Sequence, residues 1–292
     1  MRGAAPQRAV LDAVRHSGVL HRGERIVVAC SGGPDSVALA ALLSALAGEF
    51  DLDLCLVHVN HGLRADAWQD ECVALRVGAA LDLPVTVEAL EPAAGDEAGL
   101  REARYAALVR VAQARGAPAV ATGHHARDQA ETVLLALFRG TGADGLAGMA
   151  PRRPLAAGCE LIRPLLRVPP ADLRAICRAQ VLPYALDPTN SRLHLRRNAV
   201  RAALAQLRPL FPGLDEAVAR AAEVVRDEHA GSARAVLREQ IRAMLRERVG
   251  LRDVDFAHVE AAVRGVEAGQ RGRFRVRKGV ELLIEPRGKR ER

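Results

Sequence analysis

The first two thirds of the chain alternate short apolar runs with longer segments of helical periodicity. Five runs bounded by glycine, proline or polar residues are typical of strands: Arg25–Cys30, Asp53–Val59, Val85–Ala89, Ala119–Thr122 and Cys159–Arg163. Apolar residues recur at helical spacing in the segments that follow them: Ser36–Ala47, Ala67–Leu81, Glu97–Ala114, Asp128–Phe138 and Asp172–Gln180. Repeated strand–helix units predict an α/β fold in which helices cover both faces of a parallel sheet.

The last third of the chain has a mainly helical pattern. Helical periodicity marks three segments there: Arg197–Leu207, Leu214–Val249 with an interruption at Gly231–Ser232, and Asp253–Ala268. In Arg273–Glu285, apolar and charged residues alternate around Lys278–Gly279, which predicts a β-hairpin. The two prolines and the glycine of Arg208–Gly213 favour a domain boundary, and we predict domains at residues 1–208 and 209–292.

Charge is distributed unevenly along the chain. Residues 1–150 carry 13 basic and 18 acidic side chains, a net charge of −5, whereas residues 151–292 carry 29 basic and 17 acidic ones, a net charge of +12. A basic half of this kind is typical of proteins with a polyanionic partner. An arginine-rich coding habit is the alternative, since lysine occurs only at Lys278 and Lys289.

Composition excludes several classes of protein. Five cysteines without a CxxC pair favour a reducing compartment and argue against zinc sites and iron–sulfur clusters. With 49% hydrophobic and 26% charged residues, the chain is neither disordered nor collagenous. Because no run of about 18 apolar residues and no secretory pattern occurs, we expect a cytoplasmic protein without a membrane partner.

Three of the predicted strands run into polar motifs, which begin at Ser31, Asn60 and Gly123. Ligands of open parallel sheets bind outside the carboxyl ends of the strands, so we predict one shared site. The first motif opens a predicted helix, and its glycines expose backbone N–H groups at the helix N-terminus, which suits a phosphate. Asp35 fits such a loop if it holds Mg²⁺ against the phosphates.

The loop Ser31-Gly32-Gly33-Pro34-Asp35-Ser36 matches neither common phosphate motif. It lacks the lysine of a Walker loop and the GxGxxG pattern of a Rossmann loop. It resembles the pyrophosphate-binding loop of the N-type ATP pyrophosphatases, which cleave ATP between its α- and β-phosphates and activate a substrate as an adenylate. The resemblance implies that all six residues contact ATP, with Ser36 capping the helix or donating its hydroxyl to a phosphate. An ordinary Gly-Pro turn is the alternative.

Further motifs narrow the resemblance. After the loop come HVNHGLR (58–64), TGHHARDQAET (122–132), LIRPLL (161–166), DPTN (187–190) and RNAVR (197–201), in that order. Together they are similar to the motifs of tRNA(Ile)-lysidine synthetases, over about residues 25–213. This implies a parallel-sheet ATP-pyrophosphatase domain of the adenine nucleotide alpha hydrolase-like, Rossmann-like fold. A smaller, mainly helical C-terminal domain that binds tRNA would follow it.

The resemblance implies a ligase that forms a carbon–nitrogen bond. ATP would adenylate the C2 carbonyl oxygen of the wobble cytidine in a CAU-anticodon isoleucine tRNA, with release of pyrophosphate. The amine of free L-lysine would then attack C2 and expel AMP. The implied cofactor is Mg²⁺, the implied partners are ATP, lysine and the tRNA, and a homodimer is one assembly to consider.

The resemblance also implies roles for individual side chains near the nucleotide. His58, Asn60 and His124 would contact ATP, and Asp35 and Asp128 would be catalytic carboxylates that share a Mg²⁺ ion. The bland alternative for Asp128 is a helix N-cap. Family members often carry a second acid at position 127, where this chain has Arg127, so a role that needs an acidic pair there is in doubt.

Five arginines complete the implied site. Arg104 would be catalytic beside the phosphates or the base, and Arg101 would bind substrate; the alternative is a surface ion pair with Glu97 on the same helix face. Arg197 would be catalytic over the adenylate or bind tRNA, and Arg196 and Arg201 would contact RNA. No residue is implied as the base for the lysine amine.

Other activities remain to be weighed. The nearest rival is a tRNA cytidine thiolase on the same core, but those enzymes need paired cysteines. GMP and NAD synthetases share the loop and lack the later motifs. A zinc site at His124–His125 has the wrong ligand spacing. A non-catalytic nucleotide- or RNA-binding module is the alternative of a different class, and the presence of Asp35, Asp128 and Arg197 together favours an enzyme.

Overall fold

A computed structural model describes residues 4–60, 62, 67–90, 97–185, 195–248, 256–267, 272–277 and 280–284. The chain forms two compact units, Met1–Ala222 and Glu223–Arg292. The DPTN motif, His61, Arg64 and the turn at Lys278–Gly279 lie outside the described residues. The predicted functional boundary between residues 208 and 209 stays a prediction.

The first unit is built on a six-stranded sheet with the strand order β3-β2-β1-β4-β6-β5. The strands are β1 (Arg25–Ala29), β2 (Asp53–Asn60), β3 (Val85–Ala89), β4 (Ala119–Ala121), β5 (Arg152–Ala156) and β6 (Cys159–Ile162). The helices that accompany them are α1 (Ala4–Arg15), α2 (Pro34–Phe50), α3 (Trp68–Leu81), α4 (Glu97–Ala114), α5 (Ala126–Leu137), α6 (Ala143–Leu146), α7 (Pro170–Ala179) and α8 (Leu195–Leu207).

The α/β prediction is confirmed, with one correction at the edge of the sheet. β1, β2, β3, β4 and β6 pair in parallel, as the strand–helix repeat predicts. β5 was not predicted, and it pairs with β6 in antiparallel fashion. Only Ala157–Gly158 separate these two strands, which is too short for a parallel crossover. Gly158 turns the chain with φ +68°, and Pro154 fits an edge strand that need not donate every N–H.

Helices cover both faces of the sheet, because alternate residues of each strand point to opposite sides. On one face, α1, α2 and α7 pack over Ile26, Val28 and Leu56. On the other face, α4 packs over Val27 and Val120. Most of α2 is apolar and buried because the sheet, α1, α3 and α7 pack against it. α2 and α4 both begin at the carboxyl edge of the sheet, so they bring their N-terminal turns to the predicted site.

The second unit contains the end of α9 (Leu214–His229), α10 (Ala233–Arg248), α11 (Phe256–Glu267) and an antiparallel pair, β7 (Gly272–Arg277) and β8 (Val280–Ile284). The predicted interruption at Gly231–Ser232 divides α9 from α10, as expected. Gly231 adopts φ +58°, and the hydroxyl of Ser232 accepts the Ala235 N–H at 3.1 Å. The sequence therefore ends one helix and starts the next within three residues.

A buried ion network joins the helices of the second unit. Arg238, only 1% exposed, donates from Nε to Oε1 of Glu260 at 2.6 Å and also pairs with Asp227. Arg234 donates to Oε2 of Glu260 at 2.8 Å. Burial alone would raise the pKa of Glu260, but the two guanidinium groups outweigh it and hold this pKa below the ordinary value of 4.5.

The lowered pKa of Glu260 predicts a pH-dependent contribution to stability. In the unfolded chain Glu260 takes up its proton at the higher, ordinary pKa, so its contribution is present above about pH 4.5 and is lost as pH falls through the lowered folded pKa. We expect Glu260→Gln to lower the free energy of unfolding by about 1–2 kcal/mol at pH 7. Denaturation measured from pH 7 to pH 3 should show this difference shrinking below pH 4.5; a constant difference would contradict the argument.

Candidate active site

The phosphate-loop candidate, Ser31–Ser36, connects β1 to α2 at the carboxyl edge of the sheet. Pro34 starts α2, where its fixed φ suits the first helical turn and its missing N–H is not needed. Gly33 is the N-cap and has no side chain that could cover the exposed N–H groups. Gly32 adopts φ +84°, and a Cβ there would lie 3.2 Å from the carbonyl oxygen of Asp70. The loop therefore presents bare backbone donors at a helix N-terminus, as an anion site requires.

The hydroxyl of Ser36 holds the loop in this shape. Its Oγ accepts the Ser31 N–H at 3.1 Å and donates to the carbonyl of Gly33 at 2.9 Å. The side chain is buried and makes no capping hydrogen bond for α2. Ser36 thus fixes the backbone that would meet a phosphate, and its own predicted contact with ATP stays a prediction.

His125 lies between the two carboxylates that the sequence singles out. Its Nε2 is 3.5 Å from Oδ2 of Asp35, and its Nδ1 is 3.3 Å from Oδ2 of Asp128. His125 is the N-cap of α5 and Asp128 is the third helical residue; each accepts the backbone N–H of the other, at 3.4 Å and 3.1 Å respectively. Asp128 is therefore not the N-cap but the reciprocal member of a capping box.

The charge of His125 is tied to these carboxylates. Burial by itself would lower the pKa of the imidazole. The hydrogen bond with Asp35 and the negative charges of Asp128 and Asp35 outweigh burial, so the pKa of His125 is raised above 6.5. The imidazole thus helps to hold two carboxylates near one another that would otherwise repel.

One carboxylate oxygen of Asp35 has no hydrogen-bond partner among the described residues. This oxygen, Oδ1, is buried, and the lack of a partner is rare for a buried carboxylate oxygen. Mg²⁺ takes such oxygens and completes its shell with water and substrate phosphates, so Asp35 fits the implied ion. The oxygens of Asp128 contact His125 and Arg197. Within the described residues, no three or more His, Cys, Asp and Glu side chains are grouped to hold a metal ion by themselves.

A fully buried carboxylate fastens α8 to α5. Glu131 is 0% exposed, and its two oxygens accept from Nε of Arg197 and Nε of Arg201, each at 2.8 Å. Arg197 also reaches Oδ1 of Asp128 through Nη2 at 3.3 Å. The structure therefore brings Arg197 to the carboxylates, holds Arg201 beside it, and leaves Arg196 exposed on α8.

Two predicted nucleotide contacts organise the ends of neighbouring strands. His58 is buried, and its Nδ1 donates to the carbonyl of Cys30 at 2.9 Å, which fixes the proton on that nitrogen because a carbonyl only accepts. Oδ1 of Asn60 accepts the Gly62 N–H at 2.9 Å. A Cβ on Gly123 would lie 3.0 Å from the carbonyl oxygen of Asp35, so the end of β4 packs directly against the phosphate-loop candidate.

The remaining predicted residues meet on the other side of β4. Nδ1 of His124 lies 2.8 Å from Oγ1 of Thr122. Burial, followed by the positive charges of Arg163, Arg101, Arg104 and Arg197, holds the pKa of His124 well below 6.5. His124 is therefore neutral. The four arginines that lower its pKa are close enough to act on the same edge of the sheet.

Comparisons with known proteins agree with this geometry. Residues 7–208 match the model of the PP-loop domain family. The chain is 42% identical over 229 residues to the tRNA(Ile)-lysidine synthase of Salinispora tropica, and the match covers 76% of this chain and 68% of that protein. The chain belongs to the tRNA(Ile)-lysidine synthase family.

Other members of the family are longer. The match to the tRNA(Ile)-lysidine synthase of Symbiobacterium thermophilum has 41% identity over 226 residues and covers 74% of this chain but 46% of that protein. The chain thus spans about half the length of the first curated relatives that it matches. Among solved structures, the U34-tRNA thiolase NcsA from Methanococcus maripaludis has a TM-score of 0.65 at 19% identity, with 76% of this chain and 78% of that chain covered. That likeness shows a shared fold.

Membership of the lysidine synthase family confirms the resemblance drawn from the motifs. Nε of Arg127 lies 3.7 Å from Oδ2 of Asp215. Sequence reasoning missed the role of Glu131, although a signal existed. Asp128 and Glu131 stand three residues apart on one helix, and Arg197 and Arg201 stand four apart on another, so each pair shares a helix face. Among the described residues, no helix is long and apolar enough to cross a membrane.

Proposed function

We propose that this chain catalyses tRNA(Ile)-lysidine synthesis. In this reaction ATP adenylates the C2 carbonyl oxygen of the wobble cytidine in a CAU-anticodon isoleucine tRNA, and pyrophosphate leaves. The amine of lysine then attacks C2, and AMP leaves. The observation that carries the proposal is the meeting of the SGGPDS loop, Asp35, Asp128 and Arg197 at one edge of the sheet, in a chain of this family.

The loop supplies the binding of the polyphosphate. Bare N–H groups at the start of α2 face the phosphates, and the partial positive charge of the helix N-terminus favours them. Asp35 would hold Mg²⁺ through its unpartnered Oδ1, with Asp128 as the second predicted carboxylate. When bound, Mg²⁺ supplies charge neutralisation for the phosphates and the leaving pyrophosphate.

Arginines supply the electrostatic part of the reaction. Arg197 is held by Glu131 and Asp128, so its guanidinium needs no rearrangement to stabilise negative charge on the adenylated intermediate. Arg104 and Arg101 would contact the phosphates or the nucleotide from α4. The lysine amine is the nucleophile, so no side chain has to form a covalent intermediate. Alignment of the amine with C2 can lower the barrier by about 7–11 kcal/mol in favourable cases.

We assign tRNA contacts to the basic half of the chain. Residues 151–292 carry a net charge of +12, and the mainly helical second unit belongs to this half. Each phosphate contact would add to the salt dependence of tRNA binding, which a titration with salt would measure. Arg196 is exposed and suits such a contact. The homodimer stays a proposal.

The number, spacing and burial of the cysteines argue against the thiolase alternative. The solved thiolase that shares this fold is described with its [4Fe-4S] cluster. This chain has five cysteines without a CxxC pair, and Cys30, Cys55, Cys159 and Cys177 are buried. Burial raises the pKa of each of these four thiols, so they are poor thiolates.

A single assay tests the proposed function. The protein is incubated with ATP, Mg²⁺, labelled lysine and a transcript of the CAU-anticodon isoleucine tRNA. We expect label to enter this tRNA and AMP to form in equal amount. The matched control is the same transcript with uridine in place of the wobble cytidine, which should take up no label. Absence of label from the cytidine transcript, with a known lysidine synthase active in parallel, would refute the proposal.

A further inference from the structure

Arg163 is a buried cation that has no acidic partner among the described residues. It follows β6 at the carboxyl edge of the sheet and is 3% exposed. Its Nη1 donates to the carbonyl of Ala150 at 2.7 Å, while its Nε is buried without a hydrogen-bond partner in the described part of the chain. No carboxylate of the described residues lies within ion-pair distance of it. A buried charge in this state is costly unless something else supplies the opposite charge.

Three more arginines surround the same place. The guanidinium carbons of Arg101, Arg104 and Arg153 lie 5.4, 5.5 and 5.9 Å from the ring centroid of Tyr105. Tyr105 lies beside Arg163 and partly offsets the lowering of the Arg163 pKa by burial. We call Arg101, Arg104, Arg153 and Arg163 the arginine cluster. Cation–π contacts with one ring hold the three outer members but neutralise none of them.

The cluster differs from the other arginines at this end of the fold. Arg152, next in sequence to Arg153, pairs with Glu24 and Glu160. Arg197 and Arg201 share Glu131. In contrast, no ion pair with any described carboxylate involves a member of the cluster. Described carboxylates thus neutralise the neighbouring arginines but none of the four members of the cluster.

The electrostatics agree with this imbalance. Burial, together with the charges of Arg153 and Arg101 and against the opposing effect of Tyr105, lowers the pKa of Arg163 to about 10. The same cluster helps to keep His124 neutral. An anion placed among these groups would relieve both the burial cost and the mutual repulsion.

The members of the cluster differ in exposure. Arg101 is exposed, Arg104 and Arg153 are half-buried, and Arg163 is buried. The positive groups therefore extend from the surface into the edge of the sheet, and His124 lies at the inner side near the carboxyl end of β4.

We propose that the arginine cluster is an anion site that adds side-chain charge to the backbone N–H groups of the SGGPDS loop, and that it binds a phosphate group. Planar guanidinium groups match phosphate oxygens in pairs, and several arginines at one point suit a doubly charged group. The proposal rests on the proposed function for the source of this group, which is the polyphosphate of ATP or the RNA backbone beside the wobble cytidine. Arg153 and Arg163 are the new members of the site.

Binding measurements test the cluster without requiring turnover. The variants are Arg153→Gln, Arg163→Gln and Arg163→Lys in the full chain. Calorimetry measures affinity for inorganic pyrophosphate and for ATP with Mg²⁺, and a salt titration measures affinity for a CAU-anticodon stem-loop RNA. Loss of one charge-assisted contact should weaken binding about tenfold or more. Arg163→Lys should recover part of the loss, because it keeps the charge without the planar fork.

Arg110→Gln is the matched control. Arg110 lies on α4 with Arg101 and Arg104, but it is exposed and pairs with Glu88, so its loss should change no affinity. Weaker binding of pyrophosphate and ATP would assign the site to the nucleotide. Weaker RNA binding, with the salt slope reduced by about 0.7–1, would assign it to the RNA.

Unchanged affinity for all three probes would overturn the proposal. If Arg163→Gln does not fold, Arg153→Gln and Arg163→Lys carry the same test. None of these readouts depends on lysidine formation, so the cluster and the proposed function can fail separately.

Discussion

Replacing Asp35 with asparagine is expected to lower lysine-dependent AMP formation by at least about 100-fold. Asparagine keeps the shape of the side chain and an oxygen that can accept from His125, but it removes the negative charge and the carboxylate oxygen that remains without a partner. If Asp35 holds Mg²⁺ against the phosphates, that oxygen is the one the ion needs. AMP release, measured with ATP, lysine and the tRNA transcript, reports the loss.

Folding of the Asp35→Asn variant is checked separately. Asp35 lies in the first turn of α2, where a negative charge stabilises the helix by about 0.3–1 kcal/mol, so thermal unfolding should change little. Asp51→Asn is the matched control. Asp51 ends the same helix in the left-handed region with φ +55°, which asparagine also adopts. Full AMP formation by Asp35→Asn would refute the assignment of Asp35 to the metal.

Replacing Glu131 with alanine is expected to reduce both stability and activity. The change leaves Arg197 and Arg201 without their shared buried acceptor. Removing one partner of a buried ion pair costs about 3–5 kcal/mol, and we expect the lower end because both arginines are partly exposed and can turn toward water. The rate should fall as well, since Arg197 loses a contact that holds it beside Asp128.

Two comparisons isolate the effect of Glu131. Glu49→Ala removes an acid from a half-exposed pair with Arg15 and should cost about 1 kcal/mol or less. Adding Arg201→Met to Glu131→Ala should restore part of the stability, because it removes one of the two charges that lost Glu131 as an acceptor. Denaturant unfolding measures all of these variants. Equal costs for Glu131→Ala and Glu49→Ala would show that Glu131 does not fasten α8.

Local sequence was sufficient for most of the fold. The boundaries of Val85–Ala89 and Glu97–Ala114 agree with β3 and α4, because apolar periodicity there follows burial directly. β5 was missed because two arginines and a proline occupy three of its five positions. It becomes a strand only by pairing with β6. α1 was missed although Val10 and Val14 recur at helical spacing and are buried.

The site shows the same division between local and tertiary information. The conformation of the SGGPDS loop was predictable because it depends on the loop's own backbone and on the helix that follows it. Glu131, Arg153 and Arg163 were not, because their meaning depends on partners contributed by other elements. In the sequence Glu131 is one acidic residue of a helix, and its role becomes visible only through its contact with Arg197 of α8. Arg163 likewise stands out only because its buried Nε has no hydrogen-bond partner among the described residues.

The burial of most of α2 has a mechanical consequence. A helix enclosed by the sheet, α1 and α7 cannot shift without opening the main core, so the loop at its start is a fixed reference for any bound phosphate. α8 has two buried apolar residues among its described positions, Val200 and Leu204, and is otherwise attached through ion pairs that can lengthen or exchange partners at smaller cost. The loop at the start of α2 and helix α8 therefore differ in stiffness. The side that carries Arg197 is the one that can adjust to each successive substrate.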